Sequence, residues 1–420
     1  MKNIHMAWVV LSISAVFSVQ AAVSEHSSVN DVSATLWVGA AASDITPAEG
    51  TYLAGYGKNR VSTGSSDPLS VKAVAIESSD TLVLLFTIDS IGLTRPDVLR
   101  IEQGIREKLP AANVVVSSTH THAGADVVGI WGSALWRSGR DEAYLDRLVS
   151  LAVDTGVAAY SARQAVTSRV ASMGVALPWV KNLSEPELLD TQLSVLQFLS
   201  LQGETVATLT NYACHPTILG PDNTLASADF VQGFYTHMTQ SLAGEHLFLQ
   251  GSIGGWVQPL QGDRSFELAL QLGRELAARS LEVLATSQVN VQVPLIFKSQ
   301  TFDVPLDNWG FRLLIWLGVL ERELFDGAMR TSMAWFRIGD AQFVTHPGET
   351  SPAYSLASRE LLDTQHVFVM GLTQDAMGYI LKPDYFADGA TYPHAEYLTS
   401  VSVGEQAGPQ IMQVLKEILR

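Results

Sequence analysis

Four times in this sequence a run of β-favouring residues gives way, within a few positions, to a side chain able to bind a metal ion. Val114 to Ser118 leads into Thr119-His120-Thr121-His122, and Val206 to Tyr212 into Ala213-Cys214-His215-Pro216. Ala334 to Thr345 leads into His346-Pro347-Gly348-Glu349, and His366 to Leu372 is followed by Met377-Gly378-Tyr379. This recurrence constrains the fold more than any other feature. In open α/β sheets, ligands and chemistry collect outside the carboxyl ends of the strands. A fold that uses all four places has to bring those ends together. His120 and His122 face the same way if the strand continues through them. The blander reading of each residue is a structural side chain bonded to backbone.

The segments between these places alternate between the two periodicities. Val71 to Glu77 and Leu82 to Ile88 read as strands joined by Ser78-Ser79-Asp80. Thr94 is placed to cap a helix with Pro96 and Asp97 in its first turn, and Val98, Ile101, Ile105 and Leu109 form one apolar stripe. Pro110 stops it, and the histidine strand follows. Residues 141–163 read as a second helix with Leu145, Leu148 and Ala152 on one face. Leu193 to Leu199, Val206 to Tyr212 and Leu247 to Gln250 read as strands, and the last opens into the Gly-rich turn Gly251 to Pro259. Ala269, Leu272, Leu276 and Val283 then mark another helix. Strand, strand, helix, strand predicts an α/β fold. There is no internal sequence repeat and no low-complexity linker. We therefore expect one multilayer catalytic domain over residues 36–420, with mixed β-sheets flanked by helices and a metal site at strand carboxyl ends.

A chain that is 47% hydrophobic and 16% charged can bury a large core. Its net charge of −16 argues against nucleic acid, and against anionic membranes bound by charge. Cys214 is the only cysteine, so no intrachain disulfide can form, and an inert buried thiol is expected. Lys2, the apolar run Ala7 to Val19 and the small residues near Ala21 predict a cleaved signal peptide over residues 1–22. A loose mature end over 23–35 and a secreted or periplasmic protein follow from it. The apolar run is short for a membrane span, which needs about 20 residues. Asn308 to Leu320 is unusually apolar but interrupted by Arg312. A buried helix is the expected reading; the alternative has Trp309, Phe311 and Trp316 lining an acyl groove or touching a membrane surface.

Taken in order, these motifs resemble the neutral/alkaline non-lysosomal ceramidase family. Thr119-His-Thr-His-Ala-Gly124 is similar to its Thr-His-Thr-His-Ser-Gly element, Gly39 to Pro47 to its opening Gly-x-Ala-Asp-Ile-Thr-Pro, and Asp67-Pro-Leu69 to its Asp-Pro-Leu. Asn211 to Pro216 with Ala226 to Phe230 resembles its second-histidine segment, His346 to Glu349 its Pro-Gly-Glu, and Gly378-Tyr379 its tyrosine element. The resemblance spans residues 36–408. It implies a zinc ion held by His120, His215, Glu349 and Tyr379, with Tyr385, Tyr392 and Tyr397 as nearby rivals for the last place. It implies hydrolysis of the amide bond of ceramide or a related N-acyl lipid, with His122 catalytic. The longer ceramidases carry a further C-terminal β-domain, for which no sequence remains before Arg420, so a short form is expected. The nucleophile loop also departs from the family's Gly-Asp-Val-Ser-Pro-Asn. Gly255 replaces the acid, Trp256 is extra, and Gln258 stands where the serine belongs. Direct attack by zinc-activated water is then the expected chemistry. In that scheme His122 shuttles the proton, Gln258 bonds the tetrahedral oxyanion, and Asp229 or Asp126 orients a ligand imidazole. A non-catalytic lipid-binding relative and a zinc esterase or amidase on a non-sphingoid acyl compound are the alternatives.

Overall fold

A computed structural model of the chain describes residues 35–260, 262–290, 294–387 and 391–420. The expected signal peptide, and all but the last residue of the 23–35 stretch, lie outside the described residues.

The main sheet is built from β1 (Leu36–Asp44), β2 (Ser70–Ser78), β3 (Thr81–Ile88), β4 (Ala112–Ser118), β5 (Gln164–Gly174), β6 (Gln192–Ser200), β7 (Thr205–Tyr212) and β8 (Glu245–Gln250). Their spatial order is β4-β3-β2-β1-β5-β6-β7-β8, with Val289–Asn290 paired beside β5. β3 and β4 run parallel, as do β7 and β8; all other neighbours are antiparallel. Helices α1 (Arg95–Lys108), α2 (Glu142–Ser161), α3 (Phe230–Ser241) and α4 (Phe266–Leu284) fill the connections. The order is thus written twice. Three antiparallel strands, a helix, a parallel strand and a helix make β1-β2-β3-α1-β4-α2, and again β5-β6-β7-α3-β8-α4. The halves join along β1 and β5, from Leu36↔Val166 to Val38↔Gln164. The duplication is one of topology, which is why the sequence shows no repeat.

β3 is buried at seven of its eight positions and β7 at seven of eight. Strands covered on both faces read as continuous apolar runs, as β3 does, whereas β7 is interrupted by the buried Thr208, Thr210 and Asn211. One face packs on α1 to α4 through Val98, Ile101, Leu145, Leu148, Leu272 and Leu276. The other meets a second sheet of β9 (Leu295–Pro305), β10 (Ala328–Ile338), β11 (Ala341–Thr345) and β12 (Val367–Met370). Phe336, Phe343 and Phe368 stack between the sheets with ring centroids 4.5 and 4.3 Å apart. Each fully buried ring contributes about 1.5–3 kcal/mol of transfer free energy. The outer face of the second sheet carries α6 (Pro352–Leu361) and α8 (Ala407–Leu419), with α5 (Trp309–Trp316) and α7 (Ala395–Ser400) nearer the rim. The layers run helix, sheet, sheet, helix around one domain, the expected mixed α/β architecture.

Three local expectations change. Ala334 to Thr345 is a hairpin, not one strand; Gly339 (φ 59°) turns β10 into β11. β5 and β9 carry polar residues on half-exposed faces, so neither shows an apolar run in the sequence. Helix α5 is not buried. Phe311, Leu314 and Ile315 touch the core, while Trp309 and Trp316 are 77% and 78% exposed. No described helix is long and apolar enough to cross a membrane.

Candidate metal centre

The meeting point of the strand ends is built around Gln250, the last residue of β8. Its carboxamide nitrogen donates to the carbonyls of Thr119 (2.9 Å) and Cys214 (2.8 Å), and its oxygen accepts from the Cys214 (3.1 Å) and Gly251 (3.1 Å) amides. One buried side chain thereby ties the loop that carries His120 to the loop that carries His215. Its own carbonyl accepts from Gly371 N, just past β12 (2.9 Å). Gly254 rests against the Glu349–Thr350 strand, where a Cβ would lie 2.4 Å from the Glu349 carbonyl oxygen; only glycine permits that approach. Glu349 pairs directly with Tyr379 in the parallel ladder of Glu349–Thr350 and Tyr379–Ile380. All four expected segments therefore converge.

The donor atoms meet as closely. His215 Nε2 is 3.1 Å and His120 Nε2 3.4 Å from Glu349 Oε2, and His122 Nε2 is 3.2 Å from His120 Nε2. These spacings match the edge of a tetrahedron with Zn–N bonds of about 2.0–2.1 Å, roughly 3.3–3.4 Å. The three histidines form a group whose ligand atoms lie within 4.8 Å of one another. His120 Nδ1–H donates to Ile91 O (2.5 Å) and His215 Nδ1–H to Val257 O (2.8 Å), which leaves each Nε2 lone pair facing inward. The donor set and the pinned tautomers fit a zinc ion.

His122 differs. Its Nδ1 is buried without a partner, so no carbonyl fixes its tautomer. Gly55 lies flat against its ring, where a Cβ would come within 2.4 Å of Cγ. Tyr56 meets it edge-on at 4.9 Å, and the Arg60 guanidinium donates to its carbonyl and to that of Ala54. Burial, then the neighbouring His120 and His215, hold its pKa well below the usual imidazole value. Burial likewise lowers His215. For Glu349 burial acts in the opposite direction, but His120 and His215 prevail and keep its carboxyl well below the usual carboxylate range. Burial, followed by the Glu349 charge, drives the Tyr379 phenol well up.

A largely apolar cavity opens from this cluster, walled by Ile91, Val128, Ile130, Leu320, Met329 and Met377 and reaching Phe311 of α5. His120, His122, Glu349, Tyr379 and Tyr397 line it. Of the rival tyrosines, Tyr385 and Tyr392 stack on each other at 4.2 Å and Tyr385 bonds Glu185, so neither reaches the cluster.

Several sequence expectations fall elsewhere. β4 ends at Ser118 and His120 takes a left-handed φ of 71°, so a turn and not a continuing strand brings the two rings together. Asp126 accepts from the amides of Val128, Gly129 and Trp131, and Asp229 from Leu219 and Phe230; the ligand imidazoles bond backbone carbonyls instead. Gln258 lies outside the cavity, beside Tyr56, Thr217 and Arg264 in a neighbouring pocket. Ser252, the serine nearest Gln258 in the sequence and assigned no role, is buried against Thr350 Oγ1 (2.9 Å). Cys214 is buried and its thiol pKa pushed well up by burial, as expected of an inert thiol. Tyr397, one of the rivals for the last ligand place, does line the cavity. Sequence reasoning missed Gln250 and Gly55. Only Gln250 left a signal, a polar residue closing the apolar run Leu247-Phe248-Leu249.

No family model and no curated protein matches the sequence. Among solved structures, the neutral ceramidase of Pseudomonas aeruginosa superposes with a TM-score of 0.76 at 17% identity, covering 92% of this chain and 74% of that one. A ceramidase complexed with C2 gives 0.76 at 16% identity, covering 92% and 75%. Across nearly all of its described length, the chain has the neutral ceramidase fold.

Proposed function

We propose that this chain is a zinc-dependent hydrolase of the ceramidase family that cleaves the N-acyl amide bond of ceramide or a related N-acyl lipid. The observation that carries the reading is the convergence of His120 and His215 on Glu349 at tetrahedral-edge spacing, with His122 beside His120, where an apolar cavity opens. His120, His215, Glu349 and Tyr379 would hold the metal. A zinc ion held there would supply a Lewis acid able to polarise an acyl carbonyl and to lower the pKa of water to about 7. His122, with its unpinned Nδ1 and depressed pKa, is neutral at pH 7 and takes a proton at Nε2 before passing it to the departing nitrogen. The apolar walls hold the acyl chain and exclude water. Among the described residues no serine lines the cavity, and none is required by attack of water.

The same reading supplies a role for α5. Phe311 lines the cavity while Trp309 and Trp316 of the same helix face solvent, so the helix is placed to touch the lipid surface from which the substrate comes. We further propose export after removal of residues 1–22; the amino-terminal sequence of the secreted protein tests that. For the activity, the assay is release of fatty acid from a fluorescent N-acyl sphingoid, beside a panel of acyl esters, with zinc measured by mass spectrometry. His120→Ala should lose both zinc and turnover, and His122→Ala turnover alone. Full turnover by a zinc-free His120→Ala protein refutes the reading.

A further inference from the structure

We infer that Trp256 is a positioning residue whose indole N–H holds the Tyr379 hydroxyl at the metal centre. The inference rests on the hydrolase reading for its purpose, but its geometry is independent of it. The indole Nε1 donates to Tyr379 Oη at 2.8 Å. A phenol oxygen that accepts this bond has its O–H directed elsewhere, and the carboxylate beside it is Glu349. The Glu349–Tyr379 pair is therefore fixed from two sides, by the parallel ladder in the backbone and by the indole at the hydroxyl.

The backbone is shaped to deliver that contact. Gly255 and Trp256 both adopt left-handed φ, 84° and 61°. A bulky residue in that region is strained, and strain of this kind persists only where the surroundings over-determine it. Here they do. Leu183 N donates to Trp256 O and Ser184 N to Gly255 O, both at 3.2 Å, and Val257 then pairs with Asn182. The turn reverses the chain so that the indole points back toward Tyr379. Its ring packs on His394 at 4.5 Å and Tyr397 at 5.3 Å, and His394 is itself left-handed (φ 63°). Tyr397 lines the cavity, so Trp256 supports both tyrosines there. It makes no contact with the reacting atoms; it acts through Tyr379.

The test uses the full-length protein and the variants Trp256→Phe, which keeps the ring and removes the donor, Tyr379→Phe, and the double variant. Zinc affinity is read by chelator competition. Trp256→Phe should bind zinc about tenfold more weakly, the loss typical when a hydrogen-bond partner of a ligand is removed. In the Tyr379→Phe background the same change should have no further effect. Equal loss in both backgrounds, or no loss in either, overturns the inference. A second readout needs no metal. In ¹⁵N-tryptophan-labelled protein the indole signal that disappears in Trp256→Phe should shift in Tyr379→Phe; an unmoved signal overturns the inference. A wild-type protein that takes up no zinc refutes the hydrolase reading, and the indole shift then decides the Trp256–Tyr379 contact by itself.

Discussion

Replacing Gln250 by methionine removes one carboxamide and little volume. The Thr119 carbonyl, the Cys214 carbonyl and the Cys214 amide each lose their partner, while the Gly251 amide still donates to Tyr212 O at 2.9 Å. Thr119 and Cys214 are fully buried, so water does not replace the lost bonds. An orphaned buried polar group costs about 1–3 kcal/mol. Three of them cost at least about 3 kcal/mol, a large share of the 5–15 kcal/mol that holds a typical domain. The damage is also local, because the same bonds join the loops of His120 and His215. Urea unfolding should show a midpoint shift with unchanged slope, and zinc affinity should fall with it. A Gln250→Met protein within about 1 kcal/mol of wild type, with zinc affinity unchanged, refutes the view that this side chain assembles the site.

Gly55→Ala places a methyl group against the His122 ring at a φ of 97°, so turnover should fall by tenfold or more with zinc content retained; unchanged turnover contradicts the role given to His122. Trp309→Ser with Trp316→Ser should abolish binding to neutral lipid vesicles and leave the melting temperature nearly unchanged, since both rings are exposed; vesicle binding equal to wild type contradicts the role of α5. Burial, helped by Arg359, lowers the His346 pKa to about 3. A folded-state value below the unfolded one, near 6.5, means that the unfolded chain binds the extra proton between those limits. This histidine therefore favours folding least at low pH, and stability falls as pH drops from about 6.5 toward 3, by at most about 1.4 kcal/mol per pH unit. His346→Gln should flatten that slope in unfolding measured between pH 4 and 6, and superimposable slopes refute it.

Much of this was legible because burial writes itself into the sequence. β3 lies deep between layers and appears as a nearly unbroken apolar run, β4 shows the buried Val114-Val115-Val116, and α1 shows its stripe at spacings of three and four. The metal-capable residues were legible for another reason: each follows a strand end, where the fold exposes side chains to a common point. What escaped was whatever depends on a partner far along the chain. β5 and β9 are strands because of the neighbours they pair with, not because of their own residues. Gln250 looks like any polar residue until Thr119 and Cys214 are seen on either side of it. Gln258 seemed to inherit the serine's place by alignment, but the left-handed turn at Gly255 and Trp256 carries it into the adjoining pocket. The exposure of α5 is likewise set by its seat at the rim, which its apolar composition conceals.

The scattered origin of the donor atoms has a thermodynamic consequence. His120 and His215 lie in different copies of the duplicated strand order, and Glu349 and Tyr379 in a third region beyond both. Drawing such distant points together costs loop-closure entropy that grows with the logarithm of the intervening length. A single divalent ion bound by all of them would act as a cross-link for a chain that, with one cysteine, has no covalent alternative within itself. Metal occupancy and global cohesion would then be one quantity, and loss of the ion would loosen the seam between the two halves before either half came apart.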